Sequence, residues 1–298
     1  KSAGQKLKFN NKEITIVQLE KYDFSKAEIT IFAAGSEIAK NWALKAAKKT
    51  IVIDNSKYFR MKDDVPLVVA EVNPKELKKH NNIIANPNCS TIQLMLPLKP
   101  LHDKYKIKRV IVSTYQAVSG AGKASVDELF SQTRDYLNNK KVVSKNFTKP
   151  MAFNLIPHID IFVDDGYTKE EWKMENETKK ILDKRIKVTA TCVRVPVKTS
   201  HSESVNIEFE RSFNLSKIKD LLNKSAGCKI IDQRKNGGYI TPVEAEGSYK
   251  TYISRIRKDN SKKKSLNLWI VSDNLLKGAA LNAVEIAEAL VEKDFYGR

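Results

Sequence analysis

The 298-residue chain is poor in the residues that build disulfide frameworks, metal cages and phosphate loops. Cysteine occurs three times, at positions 89, 192 and 228. So odd and sparse a set supports neither a disulfide framework nor a paired-ligand metal site, and it suits a reducing compartment. Only 11 glycines are present, and none completes G-x-G-x-x-G, because Gly120-Ala-Gly122 is followed by Ser125. The dinucleotide fingerprint is therefore absent from these residues. Four histidines leave few candidates for a proton-handling group. No run approaches the roughly 20 apolar residues that span a bilayer, and no signal peptide is visible. A cytoplasmic chain with no membrane partner is expected.

Positive charge is abundant. Against 35 acidic residues stand 53 basic ones, a net +18. Such an excess suggests nucleic acid first, but only 10 of the 53 are arginine, and the lysines are spread from end to end without aromatic platforms. The expectation is a solvated lysine-rich surface that draws in anionic substrates and phosphorylated cofactors, with no nucleic-acid partner.

Hydrophobic patterning divides the chain. An apolar run at 29–35, a helical pattern at 36–48 and a strand at 50–54 form a strand–helix–strand unit, which predicts a parallel sheet. A further apolar run at 66–72, a proline-opened helix at 74–79 and a brief strand at 83–85 lead to Asn86-Pro-Asn-Cys-Ser90 and a helix to about residue 102. From residue 108 onward strands dominate, at 108–115, 188–197, 204–209, 249–256 and 265–271. Helices interrupt them after the glycine loop at 118–122 and at 215–223. This reads as a mixed, largely antiparallel sheet. A last helix from Gly278 to about 292 places Ala280, Val284, Ala287 and Val291 on its apolar face, free to pack back on the first domain. The plan is an α/β nucleotide-type domain followed by an α+β domain.

Cys89 stands between a strand end and a helix start, where backbone N–H groups and the helix dipole favour an anion. That placement predicts a lowered thiol pKa and a nucleophilic thiolate; the alternative is a small residue at a helix start capped by Asn88. Cys192 and Cys228 read as buried and inert. A thiolate acting on a carbonyl needs a proton handler. His80 and His102 fall in lysine-rich helix ends and read as solvated, and His158 follows Pro157 in a loop. His201 shares a polar turn with Arg194 and is either a presented side chain or a surface-loop residue. Gly35 and Ser36 could cradle phosphate at a helix start, as could Ser119 and Gly120; each could equally be an ordinary tight turn.

In order along nearly the whole chain, several segments resemble the aspartate-β-semialdehyde dehydrogenase family. They are Val52-Ile-Asp-Asn-Ser with Phe59-Arg-Met, Pro66-Leu-Val-Val-Ala-Glu-Val-Asn, Asn86-Pro-Asn-Cys-Ser-Thr, and Ser113-Thr-Tyr-Gln-Ala-Val-Ser-Gly-Ala-Gly. Glu170-Glu-Trp-Lys, Arg194-Val-Pro-Val with His201-Ser-Glu, and Asp273-Asn-Leu-Leu-Lys-Gly-Ala-Ala complete the set. The resemblance implies a Rossmann-type parallel-sheet domain (residues 1–88 and 278–298) and an α+β catalytic and dimerisation domain with a mixed sheet (89–277). It implies NADPH-dependent reduction of L-aspartyl-4-phosphate to aspartate semialdehyde, with phosphate release, on the way to lysine, threonine and methionine. Cys89 would form a thioester, His201 would handle the proton on the thiol or the aldehyde oxygen, and Gln116 and Asn88 would orient the intermediate. Arg60 and Lys173 would bind the phosphoryl group, and Arg194 and Glu170 the carboxylate and ammonium of the aspartyl moiety. These are charge pairings that chemistry favours. Ser2, Gly35, Ser36, Ser119, Gly120 and Asn274 would line NADP(H). A homodimer or homotetramer is implied, and no metal.

The chain departs from the family at two places. The family's first strand and G-x-x-G-x-V-G turn have no counterpart, and Lys1-Ser-Ala-Gly4 matches only the tail of the segment that reads the 2′-phosphate. Leu276 stands where an arginine is common. Weak or no NADPH binding and marginal stability are therefore expected of these 298 residues. The competing readings are a silent scaffold and a related acyl-phosphate reductase, such as N-acetyl-glutamyl-phosphate reductase. By residues alone, Glu170 and Lys173 would be an exposed i,i+3 ion pair.

Overall fold

A computed structural model describes residues 2–292. Lys1, assigned above to the 2′-phosphate segment, and residues 293–298, assigned to the nucleotide domain, lie outside the described residues.

The chain opens with a hairpin that the reading above missed, β1 (Lys6–Phe9) and β2 (Lys12–Thr15). Its signal was Asn10-Asn11. Both residues hold positive φ, 46° and 61°, the left-handed pair that a two-residue hairpin turn requires and asparagine tolerates. Strand β3 (Ile29–Phe32), helix α1 (Ser36–Ala46), β4 (Ile51–Asp54) and β5 (Ile83–Ala85) then build a parallel sheet in the order β3-β4-β5. Leu67 adds one parallel bridge to Ala85.

Helix α2 (Cys89–Tyr105) leads into the second sheet. Asn88 caps it: its Oδ1 accepts from the N–H groups of Ser90 at 3.0 Å and Thr91 at 3.3 Å, satisfying donors that a bare helix start leaves open. Pro97 and Pro100 lie inside α2 and each removes one helical donor, yet the helix persists because apolar groups bury it along its length. The second sheet has six strands in the order β7-β6-β8-β11-β10-β9. They are β6 (Ile107–Gln116), β7 (Lys187–Arg194), β8 (His201–Phe209), β9 (Cys228–Ile230), β10 (Thr251–Lys258) and β11 (Ser265–Ser272). Pairs β6–β7 and β9–β10 are parallel, and the other three are antiparallel. Helices α3 (Lys123–Leu137), α4 (Lys169–Ile181), α5 (Leu215–Asn223) and the short α6 (Pro242–Ala245) connect them. Alternation buries Val110 and Val112 of β6 and Val205 and Ile207 of β8 in the core that also holds Leu94 and Leu98 of α2.

The last helix, α7 (Leu281–Glu292), returns to the first sheet as expected. Ile286 and Leu290 pack with Ile51, Ile53 and Ile84, while α1 covers the opposite face of β4 through Ala39, Ala43 and Val52. Its inward face is corrected, however. Val284 and Val291 are exposed, and Ala283, Ile286, Ala289 and Leu290 are buried. The chain enters the helix through a π turn, Leu276–Ala280; the inward stripe is set by the bulkier Ile286 and Leu290, one position before Ala287 and Val291, with Ala287 packed at its margin. His80 and His102 are also corrected. Both are buried. His102 accepts from the Ile107 N–H at 3.1 Å and lies 3.4 Å from Asp183, and the His80 ring accepts from the Asn82 N–H at 3.0 Å. Cys228 begins β9 rather than preceding it.

Candidate active site

The two sheets meet at a cavity of about 560 Å³. Its walls come from the ends of strands and the starts of helices: Gly35 and Ser36 at α1, Asn88 and Cys89 at α2, Gln116 at the end of β6, Arg194 at the end of β7, and Glu170 and Lys173 on α4. The β6–β7 register sets Gln116 directly beside Arg194. Of the candidates named from sequence, Arg60, Ser119, Gly120 and Asn274 also line the cavity. Two do not. Ser2 is exposed, in the turn before β1, where its carbonyl accepts from Gln5. His201 is fully buried behind Gly120: a Cβ added to that glycine would sit 3.3 Å from the imidazole and 3.1 Å from Arg194 Nη1. Gly120 thus leaves room for both side chains at the cavity wall.

Glu170 organises the substrate end. It pairs with Lys173 at 2.5 Å and accepts from Asn88 Nδ2 at 2.9 Å and Gln116 Nε2 at 3.1 Å. Burial pushes its carboxyl up, but Lys173 and the three hydrogen bonds outweigh burial and hold it at about 2. The i,i+3 pair exists as the residues suggested, but it is buried, not exposed. Lys173 also meets Asp160 at 3.2 Å, and Asp160 meets Lys57 at 3.0 Å. Arg60 pairs with Glu177 at 3.2 Å and donates to the Asn55 carbonyl. The same Glu177 accepts from the Asn88 N–H at 2.7 Å. Arg194 donates to the Ala117 carbonyl at 2.7 Å. Four cations thus face three carboxylates, and the surplus positive charge suits an anionic guest.

Asp160, Lys57 and Glu177 were not singled out from sequence as site residues. For Glu177 a signal existed, since positions 170, 173 and 177 fall on one helical face. Asp160 sits in a loop with φ of 67° and no pattern marks it.

Cys89 is the one partly exposed cysteine, and here the expectation is corrected. Burial raises its thiol to about 11, and Glu170 adds to the rise; Lys173, Arg194 and Arg60 pull down but do not prevail. The helix start is real, but desolvation wins in the resting site. His201 is neutral. Burial, then Arg194, lowers its pKa to about 3. Its Nδ1 accepts from the Ala117 N–H at 3.0 Å, so the neutral ring carries its proton on Nε2, which has no hydrogen-bond partner among the described residues.

At the other end, Gly35 holds φ of 89° before the α1 start, a conformation that favours glycine. The Asn274 amide donates to the Ser119 hydroxyl at 3.0 Å and accepts from the Ser200 N–H at 2.8 Å. A helix start with free N–H groups beside small residues is chemistry that fits a dinucleotide's phosphates.

Residues 1–80 match the family model described as "Semialdehyde dehydrogenase, NAD binding domain", and residues 98–277 match "Semialdehyde dehydrogenase, dimerisation domain". The aspartate-semialdehyde dehydrogenase of Aquifex aeolicus is 48% identical over 299 residues, covering 98% of this chain and 88% of that protein. That of Bacillus subtilis is 46% identical over 302 residues, covering 97% and 87%. The crystal structure of aspartate semialdehyde dehydrogenase II from Vibrio cholerae, complexed with ASA, superposes with a TM-score of 0.95 at 44% identity, over 98% of this chain and 87% of that one. With a cysteine at a helix start, a paired Glu170–Lys173 and Arg194 at one cavity, and with these matches along its length, the chain belongs to the aspartate-semialdehyde dehydrogenase family of oxidoreductases.

Proposed function

We propose that this chain reduces L-aspartyl-4-phosphate to L-aspartate-4-semialdehyde, with NADPH as reductant, through a thioester on Cys89. The observation that carries the reading is the convergence of Cys89, Gln116, Glu170, Lys173 and Arg194 on one cavity. Cys89 Sγ attacks the acyl carbon, the S–C bond forms, the C–O bond to phosphate breaks, and the thiol proton leaves on the departing phosphate, which needs one to depart as hydrogen phosphate. Lys173 and Arg60 take up the phosphoryl charge as it leaves, each released in part from a carboxylate it holds at rest. Arg194 keeps donors beyond its bond to Ala117 for the substrate carboxylate, and Glu170 offers the ammonium an ionised carboxylate. When bound, NADPH supplies the hydride that reduces the thioester; Gly35, Ser36, Ser119 and Asn274 would hold it. The Nε2–H of His201 serves as the donor toward the oxygen on which charge builds, because a ring with Nδ1 engaged and Nε2 protonated is an acid first; as the carbonyl re-forms the C–S bond breaks, and the Cys89 sulfur leaves as thiolate while the aldehyde is released.

The division into a nucleotide part, 1–88 and 278–298, and a catalytic and dimerisation part, 89–277, belongs to the same proposal, supported by the packing of α7 on the first sheet. So do a homodimer or homotetramer, supported by the match to a dimerisation domain and by exposed apolar residues of that region such as Phe130, Phe153 and Phe162, and a cytoplasmic location. The test is phosphate-dependent reduction of NADP by aspartate semialdehyde, with Cys89→Ser alongside. Turnover that vanishes in the variant is expected; turnover that survives it would remove Cys89 from the mechanism.

A further inference from the structure

A lysine with no part in the reaction just described sits fully buried one residue before the backbone that touches Cys89. Lys277 lies in the π turn, and its ammonium donates to Glu71, from the first domain, and to Glu285 on α7. Burying an ammonium is costly even when it is paired, and an apolar side chain of similar size commonly serves packing as well or better. The pairing is therefore better explained by what it fixes than by what it stabilises.

What it fixes is the wall of the nucleophile. A Cβ added to Gly278 would lie 3.0 Å from Cys89 Cβ and 3.4 Å from its Cα and carbonyl oxygen, so the turn's backbone already abuts the cysteine. The Ala279 carbonyl accepts from Asn86 Nδ2 at 3.2 Å. At the turn's entrance Asn274 is bonded to Ser119 and Ser200. Beyond it, Asn282 donates to the Val68 carbonyl at 3.0 Å and accepts from the Ala70 N–H at 3.1 Å. Gly227 completes the fit around the carboxylate: a Cβ there would come within 2.7 Å of Glu71 Oε1. π turns inside helices recur at functional sites because they place backbone where a regular helix cannot.

We propose that Lys277 is a positioning residue of the catalytic centre, clamping the Leu276–Ala280 turn between Glu71 and Glu285 so that Gly278 holds Cys89 in its reactive placement. The inference rests on the reading of Cys89 as nucleophile. Releasing the clamp frees the turn. More water then surrounds the thiol, which becomes easier to ionise, while its aim at the acyl carbon is lost. Reactivity toward a small reagent and turnover should therefore move in opposite directions.

The experiment compares the chain with Lys277→Met and with Glu71→Gln. Site-resolved alkylation by iodoacetamide is followed against pH, and kcat and KM are measured for phosphate-dependent oxidation of aspartate semialdehyde. In Lys277→Met, Cys89 alkylation at neutral pH should rise several-fold with a downward shift of its midpoint. Its kcat should fall about tenfold or more, as misplacement of a reacting group predicts, with KM changed less than about threefold. Buried Cys192 is the internal control for loss of fold, and its alkylation should not change. Glu71→Gln should show the same pattern more weakly, and it decides the matter if Lys277→Met does not fold. Unchanged Cys89 alkylation and unchanged kcat, or Cys192 rising in step with Cys89 in both variants, would overturn the proposal. Absence of Cys89-dependent turnover in the unaltered chain would instead overturn the reaction assigned to the site. The alkylation profile does not depend on that reaction, and it still decides whether Lys277 holds the cysteine.

Discussion

Two buried glutamates lie on either side of the end of β6 and meet opposite fates. Glu170, facing the cavity, has a cation and two amides around it and is held at about 2. Glu203 on β8 stands opposite Thr114 of β6 and Ile270 of β11, and both its oxygens lack a well-formed hydrogen bond. Burial drives its carboxyl well above the ordinary range, and the nearby Gln93 amide opposes this only weakly. The same protein interior thus ionises one carboxylate and protonates the other. Partners decide the outcome, not depth. The cavity side was built to hold charge, and the sheet floor beneath α2 was not.

The sharpest way to test that contrast is to remove the charge where it is supported. Glu170→Gln keeps one acceptor oxygen: turned toward Asn88 and Gln116, it sets an NH2 donor against Lys173, which is left with Asp160 alone. Breaking a buried pair from one side costs about 3 kcal/mol or more, and kcat/KM should fall by about 100-fold or more, since substrate placement goes with it. The pH dependence carries a sign. Because the folded carboxyl is held at about 2 against an ordinary 4.5, its stabilisation is present above 4.5 and is lost as pH falls toward 2. The gap in stability between the chain and Glu170→Gln, followed by thermal melts, should close across that acid window. A gap that persists unchanged to pH 2 would refute the ion-pair account.

A smaller effect is expected at the rim. Arg194→Lys keeps the charge but loses the planar fork, one arm of which already holds the Ala117 carbonyl. A carboxylate bound by the remaining donors should lose about 10- to 100-fold in kcat/KM, chiefly through KM. An effect confined to kcat would point to His201, whose environment Arg194 shares, rather than to substrate binding. Smaller again is the consequence for the thiol. Since burial raises Cys89 to about 11, alkylation of the free chain should climb tenfold per pH unit through the neutral range. A plateau near pH 7 would mean that the cations, not burial, govern the sulfur.

How far the sequence foretold this differs by element. The strand–helix–strand at 29–54 and the alternating strands after 108 were legible because a single buried face imposes a period. The phase of α7 was not, because apolar residues fill two neighbouring stripes, 283/286/290 and 284/287/291, and only packing on the first sheet chooses between them. Cys89 could be placed from the strand-end and helix-start pattern around it, but its thiol could not. The local dipole is written in the neighbouring residues, whereas Glu170 and the desolvating walls are brought together from segments between Gly35 and Ala279. Asp160 escaped for the same reason, since a loop aspartate acquires meaning only from Lys57 and Lys173, which the fold brings to it. His80 and His102 read as solvated because lysines surround them in sequence, and sequence neighbours say little about which side of a helix end faces the core.

The unsupported glutamate gives the smallest and most discriminating prediction. Glu203→Gln replaces a buried carboxyl, held toward its protonated form, with an amide of nearly the same shape, so no cavity opens and no ion is stranded. A carboxyl whose folded pKa is raised binds its proton more tightly folded than unfolded. Stability therefore falls as pH rises above the ordinary 4.5. The amide has no proton to lose. Near pH 4 the two chains should melt together, and by pH 8 the variant should melt about 1–2 °C higher, the size expected for about 1 kcal/mol in a chain of this length. Turnover should change less than about twofold, because Glu203 does not line the cavity. A variant that melts lower at pH 8 would mean that Glu203 is ionised and held by a partner, and the contrast with Glu170 would collapse.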